Sequence, residues 1–145
     1  MIFSSLFQKQ KIESFETVLL RTTGMRYTTE YEITVRGADA TVSQYEIIYR
    51  DRKDVRDLRR SALCGAARIV RLMNDCGVLS WDGFYGKHPK GVRDGTMFTF
   101  DATVNGEKRI RASGSQNFPK HFREFMDGLR EILEDGESNG RTSLE

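Results

Sequence analysis

Cysteine is scarce: Cys64 and Cys76 are the only two in 145 residues. That count excludes a disulfide scaffold. With no C-x-x-C or H-x-x-x-H spacing, no metal site is expected either. Proline is equally rare, at two residues, which excludes a Pro-rich linker. No apolar run approaches the roughly 18 residues of a membrane-spanning helix. The apolar start, Ile2 to Phe7, is broken by Ser4 and Ser5 and is shorter than a secretory core. A cytoplasmic chain with free thiols and no membrane association is therefore expected. Charge of one sign is also lacking. Lys and Arg number 23 against 21 Asp and Glu, and a net of +2 forces no polyanionic partner. The glycine spacing matches neither G-x-x-x-x-G-K-[ST] nor G-x-G-x-x-G, and no cofactor is expected.

What is present is enough for a core. Hydrophobic residues make up 38% of the chain, with nine Phe, five Tyr and one Trp. The length suits one domain. The expected organisation is a flexible N-terminus over 1–11, a single α+β domain over 12–135, and a disordered polar tail over 136–145. Charge is blocked along the chain: residues 50–71 and 87–123 each carry a net of +5, and residues 124–145 a net of −5.

Tyr27, Thr29, Tyr31, Ile33 and Val35 alternate with polar residues, the pattern of a strand with one wet face. Val18 and Leu20 mark a strand before it, and a two-residue turn at Thr23-Gly24 would pair Leu20 with Tyr27. A third strand over about Thr41–Tyr49 has Tyr45, Ile47 and Tyr49 in phase. Val42 is out of that phase, so a bulge near Ser43-Gln44 or an outward Val42 is expected. The period then changes. Val55, Leu58, Ala62, Ala66, Ile69, Val70 and Met73 recur at three and four residues, which predicts an amphipathic helix from Lys53 to Asn74, ended by Gly77. Phe98, Phe100, Ala102 and Val104 face Ile110 and Ala112 across a hairpin. A three-residue loop, Val104-Asn105-Gly106, would oppose Phe100 to Ile110 and Asp101 to Arg109, with Gly106 left-handed. A last helix begins near Pro119 and runs to about Glu134, with Phe122, Phe125, Met126, Leu129, Ile132 and Leu133 on one side. The order β-β-β-α-β-β-α predicts an α+β fold: a five-stranded antiparallel sheet with two helices packed on one face.

The segment from Trp81 to Gly95 is long for a connection in a compact domain, and such loops carry function often. Trp81, Phe84 and Tyr85 would form a wall for a ligand, and Lys87, His88 and Arg93 would meet an anion. The competing reading makes Trp81 and Phe84 a plug at the end of the core. On the predicted first helix, Arg56, Arg59, Arg60 and Arg71 would form a face for nucleic acid or another polyanion, unless they are simply solvated. Cys76, His88 and Asp82 are the residues of a conceivable thiol hydrolase, although no catalytic residue is assigned. Glu32 and Glu46 would stand opposite each other if Ile33 pairs with Tyr45, as a cation site or an acid/base couple, or be relieved by neighbouring Arg. Ser113 to Asn117 precede the last helix, where Ser115 or Asn117 would serve as N-cap.

The motif Trp81-x-Gly83-Phe84, Asp94-Gly95-x-x-Phe98, Asn105-Gly106, Ala112-Ser113-Gly114-Ser115-x-x-Phe118-Pro119 and Phe122 resembles a pattern in a small uncharacterised bacterial protein family. The resemblance covers the C-terminal third and implies a joint structural role for these turns and aromatics, with no activity attached. The function expected is non-enzymatic binding or protein interaction, through the Trp81–Gly95 loop or the wet sheet face. That face is expected to include Leu19 and Ile48, which a second copy or another protein would cover. Nucleic-acid binding through the Arg face is the alternative.

Overall fold

The computed structural model describes residues 10–93 and 95–144, with side chains to residue 136. The expected flexibility of the N-terminus therefore falls mostly outside the described residues. The fold is α+β. In chain order come β1 (Phe15–Thr23), β2 (Thr28–Arg36), β3 (Asp39–Arg50), β4 (Lys53–Gly65), α1 (Ala66–Asp75), a 3-10 turn (Val78–Trp81), β5 (Tyr85–Gly86), β6 (Met97–Val104), β7 (Lys108–Ser115) and α2 (Phe122–Leu144). The sheet has seven strands, ordered β4-β3-β2-β1-β6-β7-β5, and it is mixed because β5 runs parallel to β7. This corrects the expectation of five antiparallel strands.

The larger departure is at residues 53–65, which form strand rather than helix. Asp51 and Arg52 both take left-handed backbone, with φ of 53° and 66°, and turn β3 back on β4 in a two-residue loop. That geometry usually selects Asn-Gly or Asp-Gly, so Asp-Arg gives no recognisable turn signal. The three-residue step from Val55 to Leu58 mimics a helix but carries the chain from one sheet face to the other. Opposite Tyr45, the register shifts: Gln44 pairs with Arg60 and Tyr45 with Leu58, leaving Arg59 as the bulged residue. Only Ala66–Asp75 is helical, and Gly77 closes it with φ 66°, as expected. The tertiary pairing of β4 overrides its local period.

The phase of β3 is corrected too. The β2–β3 register is unbroken, with Val42 opposite Ile33, so Val42 is fully buried. Tyr45, Ile47 and Tyr49 then point to the opposite face, and Ile48 to the helix side. Glu32 lies opposite Ser43, and Glu46 opposite Thr29, so the two carboxylates are not paired across the strands. The β1–β2 loop is longer than two residues: Thr23 pairs with Thr28 and Leu20 with Tyr31. In the β6–β7 hairpin, the loop is Asn105-Gly106-Glu107, one residue later than expected, with Phe100 opposite Ala112. The apolar faces stay together because the shift in pairing is an even number of positions. Gly106 is left-handed at φ 89°, and Arg109 still reaches Asp101 at 2.8 Å.

One core results. Val18, Leu20, Tyr31, Ile33, Val42, Phe98, Phe100 and Ile110 from one sheet face join Ile69 and Met73 of α1 and Phe125, Leu129, Ile132 and Leu133 of α2. At Gly136 α2 passes so close to β4 that a Cβ there would lie 2.4 Å from that of Ala62. The helix continues to Leu144, through residues read from sequence as a tail. Asn105 and Asn74 secure the chain before β1: Asn105 Oδ1 accepts from the Glu13 amide, and Asn74 both accepts from and donates to the Ile12 backbone.

Candidate functional site

The face of the sheet away from the helices is open. Its side chains follow from the register: Leu19, Arg21 and Thr23 on β1; Glu30 and Glu32 on β2; Tyr45 and Ile47 on β3; Arg56, Leu58 and Leu63 on β4; Met97, Thr99 and Asp101 on β6; Arg109, Arg111, Ser113 and Ser115 on β7. At its centre Glu30 is 4% exposed, although it stands on the open face. Arg21 donates to Glu30 Oε2 from Nε at 3.0 Å and from Nη2 at 2.9 Å, while Arg56 Nε lies 2.9 Å from Oε1. Arg56 also reaches Glu32 at 3.5 Å, and its guanidinium lies 3.8 Å from the centroid of the Tyr45 ring. Two arginines thus cover one carboxylate, and Arg56 is stacked over the Tyr45 ring. This cluster escapes a reading by periodicity, since Arg21, Glu30 and Arg56 meet only once the β1–β2, β2–β3 and β3–β4 registers are all fixed.

The Trp81–Gly95 segment divides into parts with different roles; Asp94 lies outside the described residues. Trp81 is 1% exposed and packs edge-on to Phe100 and Phe125, with centroids at 5.1 and 5.5 Å. Its Nε1 donates to the Lys120 carbonyl at 3.0 Å. Phe84 is half-buried against Phe98. Residues 82–86 then line the outer edge of β7: the Gly83 amide donates to the Arg111 carbonyl, the Ser113 amide to the Phe84 carbonyl, and the Arg111 amide to Asp82 Oδ1. This lays Tyr85 at the rim of the open face, 78% exposed. Tyr85, Met97, Arg21, Thr99, Ser113 and Ser115 border a shallow depression of about 440 Å³. His88 touches the same rim, with Nδ1 2.8 Å from Ser115 Oγ and Nε2 bonded to the Val92 carbonyl. Lys87 and Arg93 are exposed, and the Lys87 carbonyl accepts from Asn117 Nδ2. The structure therefore sets Tyr85 and His88 on one rim and sends Trp81 and Phe84 inward.

The arginines read as one helical face are dispersed. Arg56, Arg59 and Arg60 stand on β4, and Arg71 alone is on α1. Arg56 is held by Glu30, Arg59 by Glu46 and Asp57, and Arg60 Nε donates to Gln44 Oε1 at 2.7 Å. No hydrogen bond joins Cys76, His88 and Asp82 among the described residues. Burial pushes the Cys76 thiol up to about 11, with Glu124 and Asp75 adding to the effect. Burial also raises Cys64, opposed by Arg68. Neither thiol is a ready nucleophile at neutral pH. The helix begins at Phe122, so neither Ser115 nor Asn117 is its cap. Instead the Asn117 carbonyl abuts Gly86 and Gly114, where a Cβ would approach within 2.3 and 2.2 Å. No helix among the described residues is long and apolar enough to cross a membrane. Comparison with family models, curated proteins and solved structures gives no match.

Proposed function

We propose that this chain is a non-enzymatic interaction module that meets a protein partner with the open face of its sheet, the Tyr85 end of the long loop forming one rim. The observation that carries this reading is the make-up of that face. It combines Arg, Tyr, Met and Leu with Thr and Ser, and no lysine stands on it. Protein interfaces are enriched in aromatics, Met and Arg and depleted in Lys relative to the remaining surface. The face also exposes apolar side chains at both ends: Leu58 and Leu63 on β4, Tyr85 and Met97 near β7. Its acidic groups are already matched, Glu30 by Arg21 and Arg56, and Asp101 by Arg109. Docking therefore requires less desolvation of lone charges. The two unpaired thiols fit a cytoplasmic setting.

A photoreactive benzophenone amino acid placed at Tyr85 or Leu58, and at Glu131 on α2 as control, tests the reading in source cells. Protein adducts from Tyr85 and Leu58 but not from Glu131 are expected. Adducts from Glu131 alone, or from no position, overturn it.

A further inference from the structure

We infer that the occupant of the open face is a second copy of this chain, stacked sheet against sheet about a two-fold axis. The inference rests on reading that face as an interaction surface, and two further observations select the partner. The first is area. The six long strands have 8 to 13 residues. At about 4.8 Å between strands and about 3.3 Å per residue, they present a face of roughly 800 Å². A standard stable interface removes about 800 Å² from each partner, so a second face of the same size completes one.

The second is charge. The ion pairs of the face close within one chain: Arg21 and Arg56 on Glu30, Arg109 on Asp101 at 2.8 Å. A face so neutralised repels neither its own copy nor any neutral surface, and it offers a polyanion no open row of cations. Two identical sheets also share one right-handed twist, which lets them pack aligned at about −30° with about 10 Å between them. In such an isologous contact every side chain serves twice. Leu19 at mid-sheet and Leu58 near one edge are then buried in both copies.

Sedimentation of the full chain at about 50 µM, where even a micromolar dissociation constant leaves mostly dimer, reads the state directly. A mass twice 16.7 kDa is expected. Leu58→Arg and Leu19→Arg are expected to weaken self-association about a hundredfold, roughly tenfold for each copy of the site. Glu131→Arg is expected to leave it unchanged. Circular dichroism checks that each variant is folded, and Thr99→Arg on the same face replaces either one that is not. A monomer at this concentration overturns the second copy as occupant. Adducts from Tyr85 to another protein would then keep the interaction reading alive. A dimer indifferent to all open-face variants overturns the proposed face, and an absence of adducts in cells as well overturns both readings.

Discussion

Trp81→Ala separates the two roles of the long loop. The indole is 1% exposed and touches three aromatic rings: Phe100 at 5.1 Å, Phe122 at 5.8 Å and Phe125 at 5.5 Å. Truncating a buried tryptophan to alanine costs about 3–5 kcal/mol through lost transfer energy and the cavity left behind. Losing the bond from Nε1 to the Lys120 carbonyl adds about 1 kcal/mol, because that carbonyl is left without its donor. The sum, about 4–6 kcal/mol, is a large share of the roughly 5–15 kcal/mol by which a domain is stable. With a urea slope of about 2 kcal/mol/M, the midpoint falls by about 2–3 M. Circular dichroism follows the transition in both proteins. In the parent protein the emission of Trp81, the only tryptophan, gives a second probe. Trp81→Phe retains ring contacts and is expected to cost about half as much. A loss under about 1 kcal/mol for Trp81→Ala would refute its place as a plug of the core and return it to the list of ligand contacts.

Glu30→Ala leaves Arg21 and Arg56 facing each other without their shared acceptor. Both arginines are about 40% exposed, so water offsets part of the penalty of breaking a buried pair. A loss of about 2 kcal/mol remains, or a fall of roughly 4–8 °C in melting temperature, and a change under 1 °C would count against the cluster as a structural element. Cys76 gives a pH dependence with a definite sign. Its folded thiol, at about 11, lies above its ordinary value of 9.0. The folded state therefore favours the protonated form, and its full stability is present below about pH 9. As pH rises from about 9 to 11 the unfolded chain ionises first, and stability falls by about 2–3 kcal/mol. Urea midpoints at pH 8 and 10.5 should show this slope in the parent and a shallower one in Cys76→Ala. Equal slopes would exclude the thiol as the cause.

Sequence alternation was readable where burial is one-sided and strong. Ile33, Phe98, Phe100 and Ile110 kept their faces, and Phe122 to Leu133 kept their stripe. It misled where side chains are amphipathic. The alternation puts Tyr45 and Ile47 in the core, yet Tyr45 lies outside beneath the Arg56 guanidinium, a contact created by the β3–β4 pairing. The β4 segment was hidden twice over. Its turn uses Arg52 in a left-handed conformation, which side chains other than Gly and Asn rarely adopt. Its bulge at Arg59 also breaks the two-residue period on which a strand reading depends. Of the candidate site, Tyr85 and His88 were within reach because they lie in a long loop. Arg21, Glu30, Ser113 and Ser115 were not, since polar residues on a strand carry no signal until the register joins them.

The misread segment is also what gives the sheet its breadth on one side, and how each edge is finished bears on how the protein associates. A strand edge is a template for another chain unless it is covered, bulged or charged. The outer edge of β7 is taken by residues 82–86, through the Gly83 amide and the Phe84 carbonyl. On β4 the edge carries Lys53, Asp54, Arg56, Asp57, Arg59 and Arg60, bends at a bulge, and has α2 close against Ala62. Edge-to-edge pairing of two copies about a two-fold would set β4 residues of equal parity against each other. Registers centred on Arg56, Asp57 or Arg59 would each place like charges on the axis. Arg56 adds no lone charge to the open face, because there it is neutralised by Glu30 and Glu32. With both edges closed in these ways, the broad face between them is the surface through which association is least opposed.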